Sequence, residues 1–166
     1  RVIKRGARPN PLKVQAILEA PCPSNVKEVQ SFVGLCTHYS RFIPNFSSAF
    51  APLYALLKKD AKFAWDKKHQ ACFEIIKDLF RGTKILKLFD PNLETAIETD
   101  ASNYGIAAVL LQKHNEAFMP VQFASKTLTS AQKNYATIDK EALTVMFGNE
   151  RFREYLLGGK FQIRTD

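Results

Sequence analysis

Cysteine is scarce in this chain of 166 residues, and the three that occur form no recognisable pattern. Cys22, Cys36 and Cys72 are odd in number and include no C-x-x-C pair. This argues against a disulfide framework and against a structural zinc site. We therefore expect reduced, partly buried thiols in an intracellular protein. Long apolar runs are also missing, which excludes a membrane-spanning helix of the usual length.

Several other signals are absent. The chain does not begin with Met, and its first residues, RVIKRGARPNP, contain no apolar segment that could act as a secretory signal. We therefore expect a piece of a longer protein. His38, His69 and His114 are far apart, and the sequence contains no Ser/His/Asp order, glycine-rich phosphate loop or H-E-x-x-H motif. The chemistries that depend on those motifs have no support.

Positive charge is concentrated in the first part of the chain. Residues 1–90 carry 16 Lys and Arg against 7 Asp and Glu, whereas residues 91–166 carry 8 against 9. The first part therefore has a net charge of +9 and the second of −1, within a chain of net charge +8. A basic surface favours a polyanionic partner such as nucleic acid. Lysine-rich helix faces also serve solubility, so charge alone leaves both interpretations open.

The first 84 residues are predicted to be helical. Asn25 and Glu28 resemble the capping box of one helix. Asp66 is positioned to cap another helix, which would end at Gly82. Between these signals, apolar residues recur at steps of three and four, which is typical of one face of a helix. Residues 1–84 are therefore predicted to form a helical domain.

Residues 85–166 have a different pattern and are predicted to form a second domain. Strands are predicted over residues 95–100, 106–112 and 118–125, a long helix over residues 131–157, and a fourth strand over residues 161–166. Pro120 indicates an edge strand or a bulge, because proline cannot donate a ladder hydrogen bond. The helix is predicted from an apolar stripe formed by Tyr135, Ile138, Ala142, Val145, Phe152 and Leu156. The order predicts an α+β fold, with a helical segment before a mixed sheet of three antiparallel strands, a long helix and a fourth strand.

Three carboxylates stand out by their positions. Asp100 ends the first predicted strand, Glu141 lies beside the helix stripe and is expected to face the sheet, and Asp166 ends the last strand. Converging carboxylates repel one another and are costly to bury. Divalent cations remove both penalties, and oxygen ligands suit Mg²⁺ or Mn²⁺. Each acid also has a structural interpretation, as a turn former, a solvent-facing helix residue or an ordinary strand end, so the metal hypothesis depends on the three together.

Longer motifs resemble a known family. The motifs SFVGL-x₃-YSRFIPNFS, TDAS-x₂-G, NY-x₄-KE and F-x-I-x-TD occur in the order found in the Pol polyproteins of gypsy-like LTR retrotransposons. The resemblance covers essentially the whole chain. The first part resembles the thumb and connection helices of reverse transcriptase, and the second part is similar to the beginning of the ribonuclease H domain.

The resemblance implies a catalytic role for the three acids. Asp100 matches the acid of the TDAS motif, Glu141 that of the KE motif, and Asp166 that of the final TD motif. In the family these acids hold two Mg²⁺ (or Mn²⁺) ions and hydrolyse the RNA strand of an RNA–DNA hybrid, alongside RNA-directed DNA synthesis. As weaker expectations, Ser102, Gln112 and Ser125 would contact nucleic acid.

The resemblance also implies partners and a location. The expected partners are an RNA–DNA hybrid or a template–primer duplex, and the rest of the Pol polyprotein, with palm and fingers upstream and integrase downstream. No membrane partner is expected. The implied location is intracellular, in a cytoplasmic element particle or in the nucleus.

The sequence departs from the family pattern in two respects. It lacks a Y-x-D-D palm motif, so we do not expect it to polymerise DNA alone. The family's ribonuclease H fold continues with a fifth strand, further helices and usually a fourth metal ligand, so we expect a truncated domain that is inactive or weak in isolation. Two alternatives stay open: a non-catalytic module whose basic helices bind nucleic acid, and a degenerate copy without present activity.

Overall fold

A computed structural model of the chain describes residues 2–3, 6–82 and 85–165. A short hairpin of β1 (Val2–Ile3) and β2 (Gly6–Ala7) comes first. The helical half then comprises α1 (Pro11–Leu18), α2 (Val26–Thr37), a 3₁₀ turn (Ser40–Phe42), α3 (Phe46–Ala49), α4 (Ala51–Leu56) and α5 (Lys67–Arg81). The sheet half comprises β3 (Thr95–Ala101), β4 (Gly105–His114), β5 (Ala117–Thr127), α6 (Ser130–Lys133), α7 (Thr137–Arg151), α8 (Arg153–Leu156) and β6 (Phe161–Arg164).

Helix starts in the helical half follow the side-chain caps that the sequence indicates. The Asn25 side chain accepts a hydrogen bond from the backbone N–H of Glu28 at 3.0 Å. Asp66 accepts from the N–H groups of Lys68 and His69, and Gly82 ends the helix that Asp66 starts. Each such cap contributes about 1 kcal/mol, because it satisfies a donor that the helix leaves free.

The sheet has the strand order β5-β4-β3-β6. The first three strands in sequence pair antiparallel, and β6 pairs parallel with β3. This topology confirms the predicted α+β fold. Pro120 lies on the edge strand β5, where the register with β4 shifts between Leu110 and Leu111, so both the edge and the bulge occur.

The two faces of the sheet are covered by different parts of the chain. The helical half has its own core, in which Phe50, Phe73 and Phe80 are fully buried, and Phe123 of β5 packs against that core. On the other face, Phe152 at the end of α7 packs with Ile97 and other sheet residues. Fully burying such a side chain contributes about 1.5–3 kcal/mol, so both layers have a substantial apolar contribution.

The predicted long helix over residues 131–157 is wrong in continuity, and its predicted apolar stripe is buried at Phe152 and Leu156 but not at its beginning. The chain forms three helices, because residues 134–136 leave the helical conformation after α6 and Phe152 separates α7 from α8. Tyr135 is 46% exposed and Ile138 is 73% exposed. A stripe that is read across a break in the helix does not define one face, because the break rotates the following helix.

Small residues form the surface by which α7 contacts the sheet. Thr144 and Gly148 are its buried residues. A Cβ atom on Gly148 would lie 3.1 Å from Ile97 Cγ2 and 3.2 Å from Ala108 Cβ. The helix therefore lies too close to β3 and β4 at this point for a larger side chain to fit without displacement.

The three cysteines are free thiols, as expected. Cys36 and Cys72 are buried, and burial raises the pKa of Cys36 to about 12 and that of Cys72 to about 11. Both thiols therefore stay protonated at neutral pH and behave as small apolar groups. Among the described residues, no helix has the length and apolar character needed to cross a bilayer.

The contact at Gly148 generates a stability prediction. We expect Gly148→Leu to lower the free energy of unfolding by about 1–3 kcal/mol, because the added side chain must push α7 away from β3 and β4. The matched control is Gly34→Leu on α2, where an added Cβ meets no atom within 4 Å. That change should raise stability by up to about 1 kcal/mol, since leucine favours a helix over glycine. Urea unfolding of both variants measures the difference, and equal effects would contradict the packing described.

Candidate active site

Asp100 lies near the carboxyl end of β3, one of the two interior strands of the sheet. Its side chain is exposed, on the face of the sheet that the helical half covers. The Asn45 side-chain amide, which immediately precedes α3, donates a hydrogen bond from Nδ2 to Asp100 Oδ2 at 3.3 Å. The first of the predicted acids is therefore accessible and is held on one oxygen by a residue from the other half of the chain.

The turn after Asp100 depends on Ser102. Its hydroxyl accepts hydrogen bonds from the N–H groups of Gly105 and Tyr104 at 3.0 and 3.2 Å, and its N–H donates to the carbonyl oxygen of Gly105 at 2.8 Å. A Cβ atom on Gly105 would approach the carbonyl oxygen of Lys126 to 2.9 Å, so this position requires glycine. Ser102, predicted as a nucleic-acid contact, thus closes the β3–β4 turn.

Glu141 lies in the first half of α7 and is exposed. The expectation that Glu141 faces the sheet and not water is therefore wrong, since its side chain is exposed to solvent. Its position on the helix is informative nevertheless, because it precedes Gly148 by seven residues, and such a separation returns to the same helix face within about 20°. Glu141 thus lies on the sheet-contacting side of α7, beyond the point where the helix touches the sheet.

The direction of α7 relative to β3 follows from its contacts. Gly148 approaches Ile97 and Thr99, in the middle of β3. After α7, Leu156 and Leu157 line a cavity of about 190 Å³ with residues at the beginning of β3, including Thr95. The two elements therefore run antiparallel, and the amino-terminal part of α7 is directed toward the carboxyl end of β3.

Asp166, the third predicted acid, lies outside the described residues. The strand before it, β6, pairs parallel with β3, and Arg164 is opposite Glu98. Among the described residues there is no group of three His, Cys, Asp or Glu side chains that could hold a metal ion. The described part of the chain thus contains two of the three predicted acids and does not include the complete set.

Ser125, another predicted nucleic-acid contact, belongs to a polar contact between the two halves. Its hydroxyl accepts a hydrogen bond from the backbone N–H of Ser47 at 2.9 Å and donates to the Ser47 hydroxyl at 3.1 Å. Beside this pair, the hydroxyls of Ser48 and Ser102 lie 2.9 Å apart. We call these four residues the serine seam, and it fixes α3 on the sheet beside Asp100.

Gln112 lies at the opposite end of the sheet from Asp100 and is completely buried. Its Nε2 donates to the carbonyl oxygen of Asp90 at 2.7 Å and to Thr95 Oγ1 at 3.0 Å, and its Oε1 accepts from the N–H of Asp90 at 2.9 Å. All of these contacts stabilise the segment that leads into β3, from Asp90 to Thr95. In this position Gln112 has no surface to offer to a nucleic acid.

Sequence reasoning missed Asn45, Ser47 and Ser48. They lie in the segment RFIPNFSSAF, in which the aromatic residues indicate a helical core and the polar residues carry no periodic signal. Asn45 has a positive φ of 48°, a conformation that asparagine tolerates better than most residues. A turn could be anticipated from Pro44 and Asn45, but their partners on the sheet could not, because those partners are distant in sequence.

Comparison with known proteins agrees with the fold and with the motifs. The family of RNase H-like domains found in reverse transcriptase matches residues 65–163. The chain is 39% identical over 162 residues to the retrovirus-related Pol polyprotein from transposon 297 of Drosophila melanogaster. It is 33% identical over 168 residues to the transposon Tf2-3 polyprotein of Schizosaccharomyces pombe. These alignments cover 97% and 99% of this chain but only 15% and 13% of the relatives.

Solved structures show the same fold. The chain is similar to the foamy viral protease-reverse transcriptase dRH in complex with ds DNA, with a TM-score of 0.82, 21% identity, and coverage of 96% of this chain and 28% of that chain. It is also similar to the foamy viral protease-reverse transcriptase in complex with RNA/DNA hybrid, with a TM-score of 0.81, 21% identity, and coverage of 98% and 22%.

Together these findings confirm the resemblance to retrotransposon Pol polyproteins that the sequence motifs indicated. The strand order, the position of the helix across the sheet and the match over residues 65–163 agree with one another. The chain belongs to the family of RNase H-like domains found in reverse transcriptase.

Proposed function

We propose that this chain is the reverse transcriptase/ribonuclease H portion of a retrotransposon Pol polyprotein, and that in its parent it takes part in hydrolysis of the RNA strand of RNA–DNA hybrids. Asp100, Glu141 and Asp166 are the proposed metal ligands. The observation that carries the proposal is the antiparallel packing of α7 on β3, which directs Asp100 and Glu141 toward the same edge of the sheet. We also propose an intracellular location.

The distances along the two elements support similar heights for Asp100, on the sheet face that the helical half covers, and for Glu141, on the helix that covers the other face. With a rise of about 1.5 Å per helical residue, Glu141 lies roughly 10 Å beyond Gly148 along α7. With a rise of about 3.3 Å per strand residue, Asp100 lies roughly 7 Å beyond the midpoint of Ile97 and Thr99, which is the level of Gly148. The two carboxylates are therefore expected at similar heights beyond the sheet contact.

The register of β6 supports the inclusion of Asp166. Because β3 and β6 are parallel, their carboxyl ends lie at the same edge of the sheet. Arg164 pairs with Glu98. In the sequence Asp100 follows Glu98 by two residues, and Asp166 follows Arg164 by two residues. This equal offset from a paired position supports the proposal that both aspartates belong to one site.

The donor set fits a hard divalent cation. All three proposed ligands are carboxylates, and Mg²⁺ and Mn²⁺ prefer oxygen ligands. Asp100 accepts one amide hydrogen bond and is exposed, so it keeps lone pairs available for a cation. Bound divalent cations would supply charge neutralisation and activation of water for phosphodiester hydrolysis. The three carboxylates would hold those cations.

A basic segment of the helical half is suited to hold the nucleic acid. Lys58, Lys59, Lys62, Lys67 and Lys68 are all exposed between the end of α4 and the beginning of α5. The negative charges in this segment are those of Asp60 and Asp66, and the Asp66 side chain caps α5. This segment also favours the second candidate function, a module that binds nucleic acid without cleaving it.

Catalysis is tested by Asp100→Asn in the parent polyprotein. We expect hybrid cleavage with Mg²⁺ to fall about 100-fold or more, because loss of a ligand removes several kcal/mol of transition-state stabilisation. Binding of the hybrid should change less than about twofold, since the phosphates are held by other residues. The matched control is Glu98→Gln, which alters an exposed acid on the same face of β3 and should leave cleavage unchanged. Full cleavage by Asp100→Asn would refute the proposed site.

Binding by the basic segment is tested by its salt dependence. Replacing Lys58, Lys59 and Lys62 by Gln should weaken hybrid binding, and the slope of log K against log salt should become shallower by about 0.9 for each phosphate that these lysines neutralise. Lys113→Gln is the control, because Lys113 is already paired with Glu94 and Glu116 at 3.7 and 3.4 Å. Fluorescence anisotropy between about 50 and 200 mM salt gives the slopes, because binding to phosphates changes steeply in that range. An unchanged slope in the triple variant would exclude a phosphate-binding role for these lysines.

A further inference from the structure

The hydrogen bond between Asn45 and Asp100 has no part in the function proposed so far, although it joins the two halves of the chain at the candidate site. We propose that Asn45 is a positioning residue, which holds the Asp100 carboxylate in the orientation that binds a divalent cation. This inference rests on the proposed function, because it assigns Asn45 a role through Asp100. With this role, a residue of the helical half becomes part of the candidate site.

The backbone at Asn45 aims its side chain away from its usual partner. Asn45 occupies the N-cap position of α3, yet its side chain makes no capping hydrogen bond. Asparagine at this position normally accepts a bond from the second or third N–H of the helix. Here φ is 48° and ψ is 33°, a left-handed conformation, and the side chain bonds to Asp100 instead.

The sheet supplies the cap that Asn45 does not provide. The N–H of Ser47, the second residue of α3, donates to Ser125 Oγ at 2.9 Å. A donor that would otherwise need the Asn45 side chain is thereby satisfied by β5. Because the Ser47 N–H has its acceptor on β5, the Asn45 Oδ1 atom is not needed as a cap, and the side chain can take the orientation in which Nδ2 donates to Asp100.

The serine seam fixes the distance between Asn45 and Asp100. Ser102 follows Asp100 by two residues and bonds to Ser48. Ser125 lies across the sheet from Asp100, since Asp100 pairs with Ala107 and Ala107 pairs with Ser125. The start of α3 is therefore held to the sheet on two sides of Asp100, and Asn45 has little freedom to move away from the carboxylate.

An amide is chemically suited to this role. It donates to one carboxylate oxygen and carries no charge, so it does not compete with a cation as Lys or Arg would. A metal-ligating carboxylate held by a hydrogen bond is oriented before the metal arrives, and loss of such an outer contact typically lowers metal affinity about 10–100-fold. The 3.3 Å contact from Asn45 is of this kind.

The test uses Asn45→Gly in the complete 166-residue chain. Glycine retains the left-handed backbone and removes the amide. We expect the affinity for Mg²⁺ alone, measured by isothermal titration, to fall about tenfold or more. The matched control is Asn115→Gly, since Asn115 also has a φ of 48° but lies in the β4–β5 turn. The control should bind Mg²⁺ as the original chain does, and both variants should show similar changes in Tm.

A second measurement does not alter Asn45. The side-chain amide resonances of Asn45 in an NMR spectrum should shift in Asp100→Ala and stay in place in Glu98→Gln, because Asp100 accepts from that amide. Shifts in Asp100→Ala alone would support the contact independently of the effect of Asn45→Gly on folding. Identical resonances in the original chain and in Asp100→Ala would overturn the inference.

The outcomes separate this inference from the proposed function. If Asp100→Asn abolishes Mg²⁺ binding and Asn45→Gly changes it by less than about twofold, the positioning role is overturned while the metal site stands. If Asp100→Asn leaves Mg²⁺ binding unchanged, the metal site and the positioning role fall together. A fall in Tm in Asn45→Gly without a change in Mg²⁺ affinity would show that Asn45 only joins the two halves, and would also overturn the inference.

Discussion

The arrangement of the candidate site depends on the docking of α3 against the sheet. Two pairs of serines, one between Ser47 and Ser125 and one between Ser48 and Ser102, join the helical half to β5 and to the β3–β4 turn. Phe123 extends the same contact into the core of the helical half. Because half-buried hydroxyls need partners, separating the halves would leave polar groups to be satisfied elsewhere. The docking therefore holds α3 against one face of the sheet and against the turn that follows β3.

On the opposite face of the sheet, the contact at Gly148 determines where the acids can lie. Close approach of α7 to β3 sets the level of the helix relative to the strand, and the antiparallel direction carries Glu141 toward the end of the sheet near which Asp100 lies. The same end receives the parallel strand β6. The helical half and α7 thus cover opposite faces of a sheet in which the parallel strands β3 and β6 run toward the same end.

The sequence predicts the strands better than the faces of the helices. β3 follows from an alternating pattern, and β4 follows from an apolar run between turn residues. Asp66 and Gly82 delimit α5, because caps are local signals. The buried side of α7 could not be predicted, because it consists of Thr144 and Gly148, which a reading based on large apolar residues overlooks. Asp100 and Glu141 stand out in the sequence by their positions and by motifs, whereas the contact of Asn45 is with a residue 55 positions away, for which no local pattern exists.

The docking of the two halves can be tested by a cross-link. In a double variant, Ser47→Cys with Ser125→Cys, the new thiols would replace hydroxyls that lie 3.1 Å apart, and Cys22→Ser would remove the exposed native thiol. Cys36 and Cys72 are buried and protonated, so they should not interfere. The account predicts that mild oxidation of the folded chain forms this disulfide in nearly every molecule and leaves a single Ser47→Cys variant monomeric and uncross-linked. Absence of the cross-link in folded protein would contradict the docking of α3 on the sheet, on which the candidate site depends.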